Sequence, residues 1–440
     1  MKKIKRVVAM LVAMLMLVSL AACSGGKSGE GAAKEGEEVV LTMYSTTAAS
    51  KESLEEFKKM VAVYEEENPG VKINIVLTED PTGLATQQVA AGGGPDILTV
   101  EPTNVQLFAD AGYLHDLSGY ADEYGWYELF DEWALAMTSR DGKLIALPEA
   151  VEGLVVFYNK DMFAEKGWSV PTTYKEYIDL CEQVKAENMI PLSFGNSDFK
   201  MANQWWISMG FTASLGHDKF HDLLQGELAW ESADVKTAAE QLASMWEKEY
   251  IYANSAGITL EDARNLFLNK QAAMIMSGQW DVFELMNAEP EFEWGAFKMP
   301  SWNEGGGEGA LPVALGGTYA VNKKCQNPDA AAKFVNYLYN DDFVQAEVGR
   351  GTLYPTSNCD PAKVEGLDSH YIEVFDIVLD AMETNNIGYC TWTYWPPATD
   401  TYAWNNLESL YLGQTSVDEY LKNLQEKYNE DVETGSLLAF

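Results

Sequence analysis

The chain has 440 residues, of which 67 are acidic and 30 basic, for a formal charge of −37. So acidic a surface repels nucleic acid and offers no basic patch for phosphates, which removes nucleic acid from the partners to consider. The length exceeds what one hydrophobic core usually serves and points to two lobes, and 47% hydrophobic residues is the content of a globular protein.

Lys2, Lys3, Lys5 and Arg6 precede an apolar run from Val7 to Leu20. The run is too short for a comfortable bilayer span and has the order of a secretory leader. Small residues and a cysteine close it, Leu20-Ala21-Ala22-Cys23. Ser24 to Glu38 is built of Gly, Ser, Ala, Lys and Glu. It reads as a flexible linker that would reach on the order of 50 Å when extended.

Folding is expected to start with a strand at Val39 to Tyr44. A helix follows from a Ser53/Glu56 capping box, with Leu54, Phe57, Val61 and Tyr64 on one face, and Asn68-Pro69-Gly70 stops it. Val71, Ile73, Ile75 and Leu77 alternate as a strand. A Gln- and Ala-rich helix ends at Gly92-Gly93-Gly94-Pro95, Asp96 to Val100 is a buried strand, and Pro102 opens another helix. This βαβαβ order predicts a mostly parallel sheet with helices on both faces.

After Arg140-Asp141-Gly142, Lys143–Leu147 and Leu154–Tyr158 read as strands. Thr173 and Glu176 cap a helix to about Glu187, on whose apolar face Cys181 joins Tyr177, Leu180 and Val184 as a small buried hydrophobe. Helices are expected from Asp234 to Tyr250 and from Thr259 to Phe267, then a strand from Ala272 to Met276. Gly305 to Gly309 is a loop and a candidate crossing between lobes. A helix from Asn327-Pro328 packs Ala331, Phe334, Val335 and Leu338; the last starts at a Ser416/Glu419 box and packs Tyr420, Leu421, Leu424 and Tyr428. Cys181, Cys325, Cys359 and Cys390 form no CxxC pair; Cys359 and Cys390 are nearest in sequence, which leaves a disulfide open.

Seven segments, in order, resemble one family. They are Gly94-Pro95-Asp96-Ile97-Leu98, Gly142 to Pro148, Ala150-Val151-Glu152 with Phe157 to Asp161, Phe267 to Met274 with Ser277-Gly278-Gln279-Trp280, Gly316-Gly317, Asn327 to Phe334, and Ser416 to Glu419. Together they are similar to the extracellular solute-binding proteins of sugar-importing ABC transporters, the group that includes the maltose-binding proteins. Asn269 stands where that family usually has glycine. The Leu20 to Cys23 segment resembles the lipobox of bacterial lipoproteins, in which the cysteine is diacylated and becomes the new N-terminus.

The resemblance implies an α/β, two-lobed periplasmic-binding-protein-like fold (type II), each lobe a mostly parallel sheet flanked by helices. It implies three crossings, near Ala150, near Gly309 and within Cys359 to Tyr371. The expected division is a leader at 1–22, lipidated Cys23 and linker at 23–38, an N-terminal lobe of 39–150 plus 312–365, and a C-terminal lobe of 151–311 plus 366–440. The implied function is a lipid-anchored, extracytoplasmic monomer that binds a carbohydrate, an oligosaccharide, between the lobes and delivers it to ABC permease subunits, with no catalysis, cofactor or metal.

A sugar presents C–H faces, which an aromatic plate satisfies, and hydroxyl rims, which planar polar groups satisfy. Trp280-Asp281 matches the family's stacking tryptophan, and Glu152 a ligand-contacting glutamate of the maltose-binding proteins. Tyr44, Ser45, Glu101 and Asn104 follow strand ends, where ligands of open α/β sheets sit. Either Trp205 or Trp206 in Asn203-Gln204-Trp205-Trp206 could face the ligand, and Trp205 is the candidate. Thr391 to Pro397 reads as an aromatic loop because of its two prolines, with Trp395 as its candidate plate; Gly317 completes the set. The tryptophan and Asp-Arg pair that maltose-binding proteins carry after the G-P-D strand are absent, with Val100 and Thr103-Asn104 in their place, which argues against maltose itself.

Other classes remain to be weighed. A surface glycoside hydrolase would use two of the many carboxylates, but HExxH, GxSxG and Walker patterns are absent from the sequence. A peptide or amino-acid binder of the same fold would hold an amine with its acids. His217 and His221, with Asp218 and Asp222, would share a helix face as a metal site, or simply form a solvated helix start after Gly216.

Overall fold

The computed structural model describes residues 38–46, 51–78, 81–303 and 309–438. Cys23, the leader, nearly all of the linker and Gly305 to Glu308 lie outside the described residues, and of Ser45 only the backbone is described.

Val39–Thr46 (β1) pairs in parallel with Val71–Thr78 (β2), and Met43 of β1 with Ile97 of Ile97–Val100 (β3). The helix between β1 and β2, Lys51–Glu67, turns Val61 and Tyr64 into the core. The strand expected at Lys143–Leu147 divides in two. Ser139–Arg140 (β4) and Lys143–Leu144 (β5) form a hairpin about Asp141-Gly142, both at positive φ (52° and 73°). Ala146–Pro148 (β6) instead joins the first sheet.

Val151–Asn159 (β7) begins a second sheet with Ile190–Ser193 (β8), Ala272–Gly278 (β9), Trp294–Phe297 (β10), Leu311–Leu315 (β11) and, after Thr318–Val321 (β12) has returned to the first sheet, Ile387–Tyr389 (β13). The first sheet has the order β2-β1-β3-β12-β6, the second β13-β11-β7-β9-β8 with β10 also on β7.

Both sheets are mixed, which corrects the expectation of mostly parallel ones. β7 is antiparallel to β9, β10 and β11, and β12 is antiparallel to β3 and β6. The cause is how the chain changes sheet. β6 runs up to the sheet boundary and β7 away from it through Glu149-Ala150; β11 runs back to it and β12 away through Gly316-Gly317. The chain crosses from the first sheet to the second between β6 and β7 and back between β11 and β12, so the neighbours β6 and β12, and β7 and β11, run in opposite directions. The second change of sheet therefore falls at Gly316-Gly317, after β11, rather than near Gly309. Leu311 to Leu315 are all buried and pair with β7 and β13.

Several helix starts match their sequence signals. Thr173 and Ser416 accept from the amides of Glu176 and Glu419, and Thr259 forms a capping box with Asp262. Such caps satisfy amides that a helix start leaves unpaired. Cys181 is buried on its helix beside Tyr177, Leu180 and Val184. One apolar cluster runs from Leu41, Ile97 and Val321 of the first sheet into Val155, Phe157 and Leu311 of the second. A second core packs β7, β8 and β9 against the helix Asn203–Leu224.

The Thr391–Pro397 segment is not a loop. Thr391–Tyr394 is a single helical turn, and Pro397 opens the helix Pro397–Tyr411, a first-turn position where its missing N–H costs nothing. Cys181, Cys325, Cys359 and Cys390 are all free thiols. Among the described residues no helix is long and apolar enough to cross a membrane.

Candidate functional site

The strand directions bring many ends together. β1, β2 and β3 are mutually parallel, and β3 runs antiparallel to β12, so all three end at the boundary where the chain changes sheet. In the second sheet β9 reaches that boundary at Gly278, opposite Leu154; β8 is parallel to β9, and β13 is parallel to β11, which ends there at Leu315. Carboxyl ends of strands from two sheets thus face one region, the place where open α/β sheets bind ligands.

Two glutamates stand at the crossings. Glu149 donates its amide to the Gly317 carbonyl at 2.8 Å and accepts from the Tyr319 hydroxyl at 2.8 Å. Glu152, on β7, accepts from Trp392 Nε1 at 3.0 Å through Oε2. Both press on the glycine pair: a Cβ added at Gly316 would lie 2.3 Å from Glu152 Oε1, and one at Gly317 would lie 2.4 Å from Glu149 Oε2. Any side chain at either glycine would have to push a carboxylate aside. Burial raises the Glu149 carboxyl; the Tyr319 hydroxyl opposes this, and Glu347 adds to it. Burial pushes Glu152 up to about 8, against the Trp392 N–H and with help from Glu149. At neutral pH Glu152 is therefore a neutral acid, able to donate as well as accept.

At the end of β9 the backbone turns at Gly278, where a Cβ would come within 2.1 Å of the Trp280 ring. Glycine thus lets the indole fold back on the strand end. Trp280 is half-buried and lies 5.4 Å from the half-buried Trp205, the rings tilted by 53°. Trp206 turns the other way, fully buried against Phe194 and Trp246. Of the Asn203–Trp206 cluster, Trp205 is thus the ring left with exposed surface. Beneath it, Gln204 donates to both oxygens of buried Asp400, at 3.1 and 2.9 Å.

Four expectations need qualification. Trp395 is fully buried, with its ring 4.9 Å from Trp230 and 5.5 Å from Phe211, so it is a core residue and no plate for a ligand. Asp281 is buried and paired with Arg264 at 2.7 Å, so its charge serves that guanidinium. Tyr44 is buried and its hydroxyl donates to Gln88. Gly317 contributes clearance at the crossing.

Glu101 and Asn104 are half-buried at the start of the Pro102–Asp110 helix, which packs against the Thr391–Tyr394 turn. Ser45 sits on β1 opposite Leu77, at the boundary end. His217 lies 2.9 Å through Nδ1 from the Ile387 carbonyl and stacks on Tyr389, just past a kink at Gly216 in its helix. Among the described residues no cluster of His, Cys, Asp and Glu has the geometry of a metal site.

Two residues escaped the sequence reading. Trp392, on the Thr391–Tyr394 turn, reaches Glu152, whereas Trp395 caps that turn in extended backbone and enters the core. Arg264 pairs with Asp281 from a preceding helix, Leu260–Leu268.

Comparison with known proteins bears on this arrangement. Residues 48–345 match the family described as bacterial extracellular solute-binding protein. Over 356 residues the chain is 25% identical to the Multiple sugar-binding protein of Streptococcus mutans, covering 77% of this chain and 79% of that one. It is 23% identical over 351 residues to the Maltodextrin-binding protein MdxE of Bacillus subtilis, covering 77% of each. A chitin oligosaccharide binding protein superposes with a TM-score of 0.78 at 22% identity, over 90% of this chain and 99% of that one. RafE in complex with raffinose superposes with a TM-score of 0.73 at 20% identity, over 89% and 99%. At these identities the superpositions establish a shared fold, the two-lobed α/β architecture. The match over residues 48–345 goes further: the chain belongs to the bacterial extracellular solute-binding protein family.

Proposed function

We propose that this protein is the extracytoplasmic sugar-binding component of an ABC importer, tethered through a lipidated Cys23, which holds an oligosaccharide between its two sheets and delivers it to permease subunits. The observation that carries the reading is the pair of half-buried indoles, Trp205 and Trp280, beside the strand ends that converge on the boundary. Indole faces suit the C–H face of a sugar ring. Half-buried Glu101, Asn104 and Glu152 supply polar groups suited to hydroxyls. The names of the relatives, which bind multiple sugars and maltodextrin, support the ligand class.

In this reading the lobes are 39–150 with the segment from Gly317 into the 360s, and 151–316 with the remainder. Ligand touching both favours the closed arrangement by its differential affinity for that state. The test is a thermal-shift panel of oligosaccharides, amino acids and metal ions on the full-length chain. A ligand that binds only the folded state raises the melting temperature with its concentration. One or more oligosaccharides should do so and be recovered intact after incubation. Stabilisation by amino acids alone, or hydrolysis of the sugar, would overturn the assignment.

A further inference from the structure

The contact between Trp392 and Glu152 lies beyond the family comparison, and a ligand-facing role for it rests on the sugar-binding reading. We propose that Trp392 is the positioning residue of Glu152: its indole N–H occupies one carboxyl oxygen, so that the proton of the acid sits on the other, which donates to a ligand hydroxyl between the sheets.

Trp392 Nε1 can only donate, and it lies 3.0 Å from Glu152 Oε2. That oxygen is therefore the acceptor, and the proton of a neutral carboxyl belongs on Oε1. Oε1 lies at Gly316, whose missing Cβ would stand 2.3 Å away; only glycine leaves room there. The groups that face this carboxyl are Glu149 from the same crossing and Cys390 from the turn before Trp392, with Glu347 acting on Glu149 in turn. Of these, Glu149 favours the neutral form of Glu152, in the same direction as burial, while burial and Glu152 itself hold the Cys390 thiol neutral.

Trp392 is itself nearly buried, at 5% exposed, and its helical turn packs on the Pro102–Asp110 helix of the first sheet. It thus holds a carboxyl of the crossing from an element that touches β11 of the second sheet and the helix that follows β3 of the first. A ligand enclosed there meets a neutral donor; once Glu152 ionises, that donor is lost and enclosure must desolvate a charge that one indole N–H only partly satisfies, so binding weakens.

The test has two arms. In the first, affinities for maltotriose, raffinose and chitotriose are measured by calorimetry between pH 6 and 9.5 on the full-length chain. Wild-type affinity should be level at neutral pH and fall up to tenfold per pH unit above a midpoint near 8. Trp392→Phe keeps the ring and removes the N–H. Losing a donor that favours the ionised form should move the midpoint upward, while Glu152→Gln should abolish the pH dependence. A structural tryptophan would change affinity equally at every pH; an unmoved midpoint in Trp392→Phe therefore overturns the proposal.

The second arm needs no ligand. The pH-difference fluorescence of wild type minus Trp392→Phe should show a transition in the same range, absent in Glu152→Gln. A flat difference overturns the proposal whether or not sugar binds. A clear transition with no sugar bound at any pH leaves Trp392 as the positioning residue and sinks the sugar reading instead.

Discussion

Replacing Trp280 with alanine should separate binding from folding. The ring is half-buried, and its one ring partner among the described aromatic pairs is Trp205 at 5.4 Å. Truncating a fully buried tryptophan costs about 3–5 kcal/mol, and an aromatic pair contributes about 0.5–1.5 kcal/mol beyond its buried area. Because part of its surface stays in water, Trp280→Ala should cost less than that, roughly 2 kcal/mol of stability. Trp395 is the internal control: it is fully buried and ringed by Trp230, Phe211 and Phe220. Trp395→Ala should cost the full ~3–5 kcal/mol and leave affinity unchanged in the molecules that remain folded. Loss of the Trp280 plate should weaken sugar binding at least tenfold, which corresponds to about 1.4 kcal/mol. Urea titration at equilibrium gives the first quantity and calorimetry on folded protein the second. If Trp280→Ala is the more destabilising of the two and binds sugar normally, the ring is a core residue and the placement of the site is wrong.

Other consequences can be checked separately. Cys23→Ser should release the protein from the membrane fraction while leaving ligand binding in solution intact; retention with unchanged acylation would remove the tether. Small-angle scattering should give a smaller radius of gyration at saturating sugar than without it, and an identical radius with binding verified would favour a rigid cleft. Burial raises Asp400 to about 7, against hydrogen bonds from Thr391 and Gln204 and with Asp431 adding to the rise. Its folded value thus exceeds the ordinary 3.8, so its contribution is complete in acid and is lost as pH climbs from about 4 through 7. Asp400→Asn should flatten that slope in urea midpoints, and a slope unchanged by the substitution would contradict the assignment.

Much of the fold was legible because its signals are local. The strands at Val39, Val71 and Asp96, and the caps at Thr173, Thr259 and Ser416, depend on alternation or on one side chain meeting an amide a turn away. The helix Asn203–Leu224 was not legible, because it is buried around most of its girth and leaves no apolar stripe of helical period. Pro396 and Pro397 hid a second helix, since proline reads as a break although it is tolerated in a first turn. Sheet direction also depends on which strands meet at the crossings, a long-range property that the βαβαβ order alone does not carry.

The site divides in the same way. Trp280, Glu152 and the Gly316-Gly317 pair stand at strand ends and crossings, where motif order located them. Trp392 lies on the helical turn and Trp395 caps it in extended backbone, so which ring meets Glu152 and which enters the core depends on what packs around the turn. Asp281 reads as available from the sequence because its partner, Arg264, comes from another helix.

The central claim is that a sugar binds between the sheets against Trp205 and Trp280. Calorimetric titration of the full-length protein with a series of oligosaccharides tests it most directly, run in parallel on wild type and Trp280→Ala. The account predicts saturable one-to-one binding of at least one oligosaccharide by the wild type and at least a tenfold loss in the variant. Saturable binding of an amino acid or peptide with no heat from any sugar, or a sugar bound equally well by both proteins, would contradict it.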